Sequence, residues 1–97
     1  MNIYDYLTPQ SGETFTTLLA HKNIKIHRIV SSDHVEETEY LQEEDEWLVL
    51  LEGEATLLLD QTEKTLTKGD TLFIPAKTPH RVLHTQHGTI WLTVHIF

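Results

Sequence analysis

The sequence contains no cysteine. Disulfides, thiolate catalysis and cysteine-ligated zinc are therefore excluded, while the redox compartment is left undetermined. Positive charge is scarce: seven Lys and Arg stand against fifteen Asp and Glu, a formal charge of −8. Non-specific nucleic-acid binding depends on clustered cations that neutralise phosphates, and docking on anionic lipid has the same requirement. Neither nucleic acid nor membrane is expected as a partner. No apolar stretch approaches the roughly 20 residues that span a bilayer. The opening MNIYDYLTPQ lacks the basic-then-apolar order of a secretion signal, so a cytoplasmic protein is expected. A Gly-rich phosphate loop, an HExxH helix and a Cys–His zinc pattern are all missing, and no serine has a nucleophile-like setting.

The 97 residues suffice for one domain, with residues 1–97 read as a single unit. A chain this short buries a core with little margin. Seven histidines are the compositional oddity: His21, His27, His34, His80, His84, His87 and His95. Imidazole is both a common metal ligand and a proton carrier. Acidic residues Glu43, Glu44, Asp45 and Glu46 run directly into an apolar stretch from Trp47 to Leu51, which stops at Glu52-Gly53.

Short segments separated by turn signals dominate the chain. Within residues 2–20, Pro9 punctuates the segment and Ser11-Gly12 reads as a turn; Thr14, Thr16 and Thr17 then favour strand, although Phe15, Leu18 and Leu19 also fit helical spacing. Ile24 to Val30 alternates, with Ile24 and Ile26 on one face and Lys25 and His27 on the other. Further strands are expected from Glu46 to Glu52, Ala55 to Leu59, Lys64 to Thr67, Thr71 to Ile74, Arg81 to Thr85 and Thr89 to Phe97. Five consecutive apolar residues at Trp47–Leu51 imply that both faces of that strand are covered, by the core and by a second layer or a partner subunit. In the final strand, Ile90, Leu92, Val94 and Ile96 are expected to face the core. Trp91, Thr93 and His95 then face a pocket or a dimer interface. Many short strands and no long helix predict an all-β sandwich or jelly-roll barrel.

Two spacings resemble those of the cupins, specifically the small single-domain cupins. Glu46 and Gly53 enclose six residues, as in the first cupin motif. Gly69, Pro75 and His80, in the stretch GDTLFIPAKTPH, fall at the spacings of the second. The resemblance implies a cupin-type antiparallel β-sandwich or jelly-roll barrel with a small-molecule pocket; a homodimer is expected from the doubly apolar Trp47–Leu51 strand and the small size of the domain. The resemblance also exposes departures. The paired histidines of the first motif should fall at positions 39 and 41 or 40 and 42, where the chain has Glu39, Tyr40, Leu41 and Gln42. A motif glycine is replaced by Lys77 and a motif asparagine by His84.

Of the three-His, one-Glu metal set that the resemblance implies, Glu46 and His80 are retained. They are the candidate catalytic pair, and with Gln42 they form a candidate site for a divalent transition metal (Zn, Fe, Ni or Mn). The alternative is a metal-free polar pocket in which Glu46 and His80 bond each other. Tyr40 and Gln42 are candidate pocket residues because they stand where histidines are expected. Plain strand alternation puts His80, Val82 and His84 on one face, with the two histidines about 13 Å apart at a rise of ~3.3 Å per residue, too far to ligate one ion. His84 is therefore read as a deeper pocket residue or a core histidine, and His95 and Trp91 as candidate pocket residues. Glu43, Glu44 and Asp45 are read as a solvated acidic loop, and His21, His34 and His87 as exposed. Two functions stay open: an enzyme acting on a small polar metabolite, and a non-catalytic small-molecule-binding or regulatory module.

Overall fold

In the computed structural model, which describes residues 1–97, eight strands and no helix form two antiparallel sheets. The strands are β1 (Glu13–His21), β2 (Ile24–Ser31), β3 (Asp45–Glu52), β4 (Glu54–Leu59), β5 (Thr62–Thr67), β6 (Thr71–Ile74), β7 (His80–Thr85) and β8 (Thr89–Ile96). The larger sheet has the order β1-β2-β8-β3-β6, and the smaller has the order β5-β4-β7. This is the expected all-β, cupin-type sandwich. Strand is confined to the second half of residues 2–20. Pro9 and Gly12, the latter at φ +72°, keep the first twelve residues out of the ladder.

The core sits between the sheets. Leu48, Leu50, Ile74 and Trp91 from the larger sheet meet Ala55, Leu57 and Leu66 from the smaller. On β8 the expectation is reversed: Trp91, Thr93 and His95 face inward, whereas Leu92 and Val94 face outward. Register fixes this, because Trp91 is paired with Leu50 and Thr93 with Leu48, and paired residues share a face. Aliphatic character alone misleads here because both faces of the larger sheet are apolar.

The outward face is covered over only part of its area. Arg28, Val30 and Ile90 point outward yet are buried, under the N-terminal segment. The Arg28 guanidinium donates to the carbonyls of Ile3 (3.1 Å) and Asp5 (3.0 Å) and lies over the Tyr6 ring at 5.9 Å. Two rungs away the covering ends. Leu19, Ile26, Val94, Trp47 and Phe73 form one unbroken cross-strand row over all five strands. Leu19, Trp47 and Phe73 are exposed.

Gly53 turns β3 into β4 at φ +91°, a region that L-residues rarely adopt. A Cβ there would run into the side chain of Thr89 and within 2.8 Å of its Cα. The turn is thus packed on the start of β8, and this locks the two sheets together at the closed end of the barrel.

Candidate functional site

A cavity of about 320 Å³ opens between the sheets. That is the lower end of the range for small-molecule sites. Half of its sixteen lining residues are hydrophobic, among them Phe15, Ile29, Leu57 and Trp91. The polar remainder is contributed by register. The rung Lys25–His95–Glu46–Ile74 brings His95 beside Glu46 across the β8/β3 pair. The adjacent rung, Thr17–His27–Thr93–Leu48, brings His27 diagonally next to His95. Diagonal neighbours on one sheet face lie within reach of ring contact. The His27 and His95 rings accordingly meet edge to face at 5.3 Å.

The geometry of His95 defines one chemical unit. Its Nδ1 donates to Glu44 Oε2 at 3.0 Å, and Nε2 lies 4.0 Å from Glu46 Oε1. Both carboxylates and the imidazole are largely removed from water. A carboxylate on Nδ1 fixes the tautomer and leaves Nε2 as the proton acceptor facing the cavity. Glu46 Oε1 also accepts from Gln42 Nε2 at 2.9 Å. His27 contacts Thr17 Oγ1 through Nδ1 at 3.3 Å. Burial holds the His27 pKa below its ordinary 6.5, with help from His95 and Lys25 and against the opposing pull of Glu46 and Glu44.

Tyr40 and His80 form the opposite wall. Their backbones exchange two hydrogen bonds, Tyr40 N to His80 O (2.7 Å) and His80 N to Tyr40 O (3.0 Å), and their rings stack at 5.7 Å. This bridge fastens the loop after β2 to β7 and so closes that side of the cavity. His80 Nδ1 donates to the Thr78 carbonyl at 2.9 Å. The Tyr40 phenol is pushed up by burial and by Glu13 and Glu36. Glu13 reaches the cavity from β1. Trp91 Nε1 donates to Ser31 Oγ (2.9 Å), and Ser31 Oγ in turn donates to Glu13. Burial nevertheless raises the Glu13 pKa above its ordinary 4.5, the Ser31 bond opposing it.

Six sequence candidates are thus brought together on the cavity wall: Glu46, His80, Tyr40, Gln42, His95 and Trp91. His84 is not. A β-bulge at Leu83 pairs Leu57 with Val82 but Thr56 with His84, which reverses the alternation and turns His84 out to solvent. The solvated reading of the acidic run holds for Glu43, which is exposed, and is corrected for Glu44 and Asp45. Glu44 holds His95, and Asp45 Oδ1 accepts the Ala76 N–H at 2.8 Å. His21, His34 and His87 are exposed, as expected.

The donor set of Glu46, His80 and Gln42 does not fit a metal centre. The Gln42 amide nitrogen, rather than its oxygen, is turned to Glu46. The imidazole beside Glu46 is that of His95, not that of His80. No three His, Asp or Glu side chains are grouped as a coordination set, and a divalent transition ion needs at least that many strong donors. Sequence reasoning missed Glu13, Thr17 and His27. A signal for His27 existed: it alternates out of phase with Ile24 and Ile26, and that phase is the one facing the cavity.

A family model described as the cupin domain matches residues 27–95. Among solved structures, a candidate mannose-6-phosphate isomerase from Ralstonia eutropha JMP134 is 32% identical, with 99% of this chain and 95% of that one covered and a TM-score of 0.86. A cupin superfamily protein from Desulfitobacterium hafniense DCB-2 is 18% identical, with 95% and 84% covered and a TM-score of 0.85. The cupin domain of an XRE-family transcriptional regulator from Enterobacter cloacae is 13% identical, with 90% and 98% covered and a TM-score of 0.78. At those lower identities the likeness shows the fold alone. No curated protein matches the sequence.

Proposed function

The chain belongs to the cupin family, and from that premise we propose a metal-independent site that moves protons on a small metabolite held in the barrel. The observation that carries this reading is the Glu44–His95–Glu46 arrangement, with Nδ1 of His95 held at 3.0 Å and Nε2 facing the cavity. In it His95 is the base, Glu44 the positioning carboxylate and Glu46 the group that receives or returns a proton. A base and a carboxyl side by side on one wall, 4.0 Å apart, suit proton transfer at one face of a bound carbon, as in isomerisation or enolisation. The relative named for sugar-phosphate isomerisation belongs to the same broad reaction class. The other reading, a binding module without turnover, uses the same cavity and differs only in its outcome.

The test is deuterium incorporation. Untagged protein incubated in D2O with a metabolite panel is expected to place deuterium at one carbon of one compound, detected by NMR. His95→Gln should slow that exchange by about 100-fold or more. A ligand recovered unaltered and undeuterated would establish the binding module instead. Near-stoichiometric Zn, Fe, Ni or Mn in the purified protein, lost in both Glu46→Gln and His80→Ala, would overturn the metal-independent reading.

We also propose a homodimer. Four side chains on or beside the bare outer row, Leu19 (48% exposed), Trp47 (38%), Phe73 (51%) and Ile96 (40%), offer roughly 350 Å² of apolar surface at about 200 Å² per large side chain. That matches the apolar centre of a standard interface of ~800 Å² per partner. A two-fold axis along β8, the middle strand, sets Phe73 and Trp47 of one copy against Leu19 and Ile26 of the other, large on small, with the two copies of Val94 facing each other.

A further inference from the structure

The hydrogen-bonding character of the cavity selects among ligands, and it does so by charge. No Lys or Arg lines it. The nearest cations are all engaged or turned away. Lys25 lies beyond the rim with its ammonium 5.2 Å from the Phe97 ring. Arg28 is on the outer face under the N-terminal segment. Arg81, on β7, is paired with Leu58 of β4, one residue out of phase with the inward-facing His80 and Val82.

The polar groups that do line the cavity are mostly acceptors. Glu13 and Glu46 bring two carboxyl groups. The amide nitrogen of Gln42 is spent on Glu46, so its oxygen is the free end. The Nδ1 hydrogens of His80 and His95 are given to Thr78 and Glu44, so each presents Nε2 as an acceptor in its neutral form. Thr93 adds an independent sign of a missing partner. It is 1% exposed, lines the cavity, and its Oγ1 has no hydrogen-bond partner. A buried hydroxyl without a partner is rare in a folded protein and calls for a group that the protein itself does not supply.

We propose that the ligand is a small organic amine bound as its cation, with the ammonium toward Glu46 and Thr93 and an apolar body against Trp91, Phe15 and Ile29. This rests on the cavity being the functional site and names the ligand class it takes. An ammonium supplies donors where the wall supplies acceptors, and its apolar body finds hydrocarbon and aromatic surface on the rest of the wall. A phosphate or carboxylate ligand meets the reverse: two carboxyl groups, a chain of net charge −8 and no cation to pair with. The name of the Ralstonia relative therefore does not carry a sugar phosphate over to this cavity.

Three compounds that share a phenyl body test this by calorimetric titration: 2-phenylethylamine, 2-phenylethanol and 3-phenylpropionate. The amine is expected to bind at least about tenfold more tightly than the alcohol, as a charge-assisted hydrogen bond commands, and the carboxylate not to bind. Glu46→Gln should weaken the amine about tenfold and leave the alcohol unchanged. Glu13→Gln is the second variant should Glu46→Gln lose its native circular dichroism. Equal binding of alcohol and amine, or tighter binding of the carboxylate, overturns the charge class while leaving the cavity as the ligand site. Binding of none of the three overturns the class as well. Binding of all three that survives Leu57→Trp, which fills the cavity, overturns the site.

Discussion

Glu13 carries a carboxyl group into a cavity half lined by hydrocarbon, and the folded state resists its ionisation. Burial raises its pKa more than the Ser31 hydrogen bond lowers it. The folded chain therefore takes up this proton at a higher pH than the unfolded chain does. As pH falls from neutral, stability is gained through the folded pKa, and the gain is complete below the unfolded value of about 4.5. Glu13→Gln keeps an oxygen for the Ser31 donor and removes the charge. It should melt at a higher temperature than the parent near pH 7, and the gap should close below about pH 4.5; thermal melts across pH 4 to 7.5 decide it. A constant gap over that range would contradict a buried, ionising Glu13. Residue-scale legibility was uneven for related reasons. Glu46, His80, Tyr40 and Gln42 were found because motif spacing marks positions, whatever residues fill them. Glu13 and Thr17 carried no such mark, because β1 reaches the site only through its pairing with β2.

The strands were legible from their turns, and most boundaries fall within two residues of expectation. Phase was the weaker signal. One extra residue at Leu83 turned His84 out, and side-chain alternation contains no warning of a bulge. Two turns make opposite predictions about glycine. Lys77 occupies a motif glycine position and still adopts φ +62°. Its only ion pair, with Glu43 at 3.7 Å, is exposed and worth little. Lys77→Gly should therefore stabilise the fold by up to about 1 kcal/mol, because the left-handed conformation costs an L-residue roughly that much. Gly53→Ala places a Cβ against the Thr89 backbone, and should cost more than about 3 kcal/mol. Urea denaturation of the two variants, read beside Gly69→Ala, separates strain from collision: Gly69 has φ +88° but open space around it, and its loss should cost only about 1 kcal/mol.

For the whole molecule, the sequence implied that both sides of Trp47–Leu51 are covered. Within one chain the covering stops at the N-terminal segment, and the remaining surface is the one that the proposed dimer would cover. The proposed dimer should sediment at twice the 11.3 kDa chain mass at tens of micromolar. Trp47→Lys, which sets a charge in the middle of the outer row, should reduce it to 11.3 kDa, whereas Thr65→Lys on the smaller sheet should not. A monomeric parent at that concentration would sink the proposal. The fold class was readable because turn residues and motif spacing are local features. The pairing of faces was not, because it depends on contacts between strands far apart in the chain, and both faces of the larger sheet are apolar.

The strand order has a further consequence, for how the chain is made. β8 follows every other strand, yet it lies in the middle of the larger sheet, with Ile96 paired to both Ile24 and Asp45. Until it is synthesised, β2 and β3 each lack one neighbour, and only the hairpins β1–β2 and β4–β5 can form from adjacent segments. Such long-range closure is slow, and it leaves strand edges unpaired meanwhile. Without β8 the cavity lacks Trp91, Thr93 and His95, Glu46 has no imidazole beside it, and the outer apolar row is broken at Val94: site and outer face are completed by the same strand.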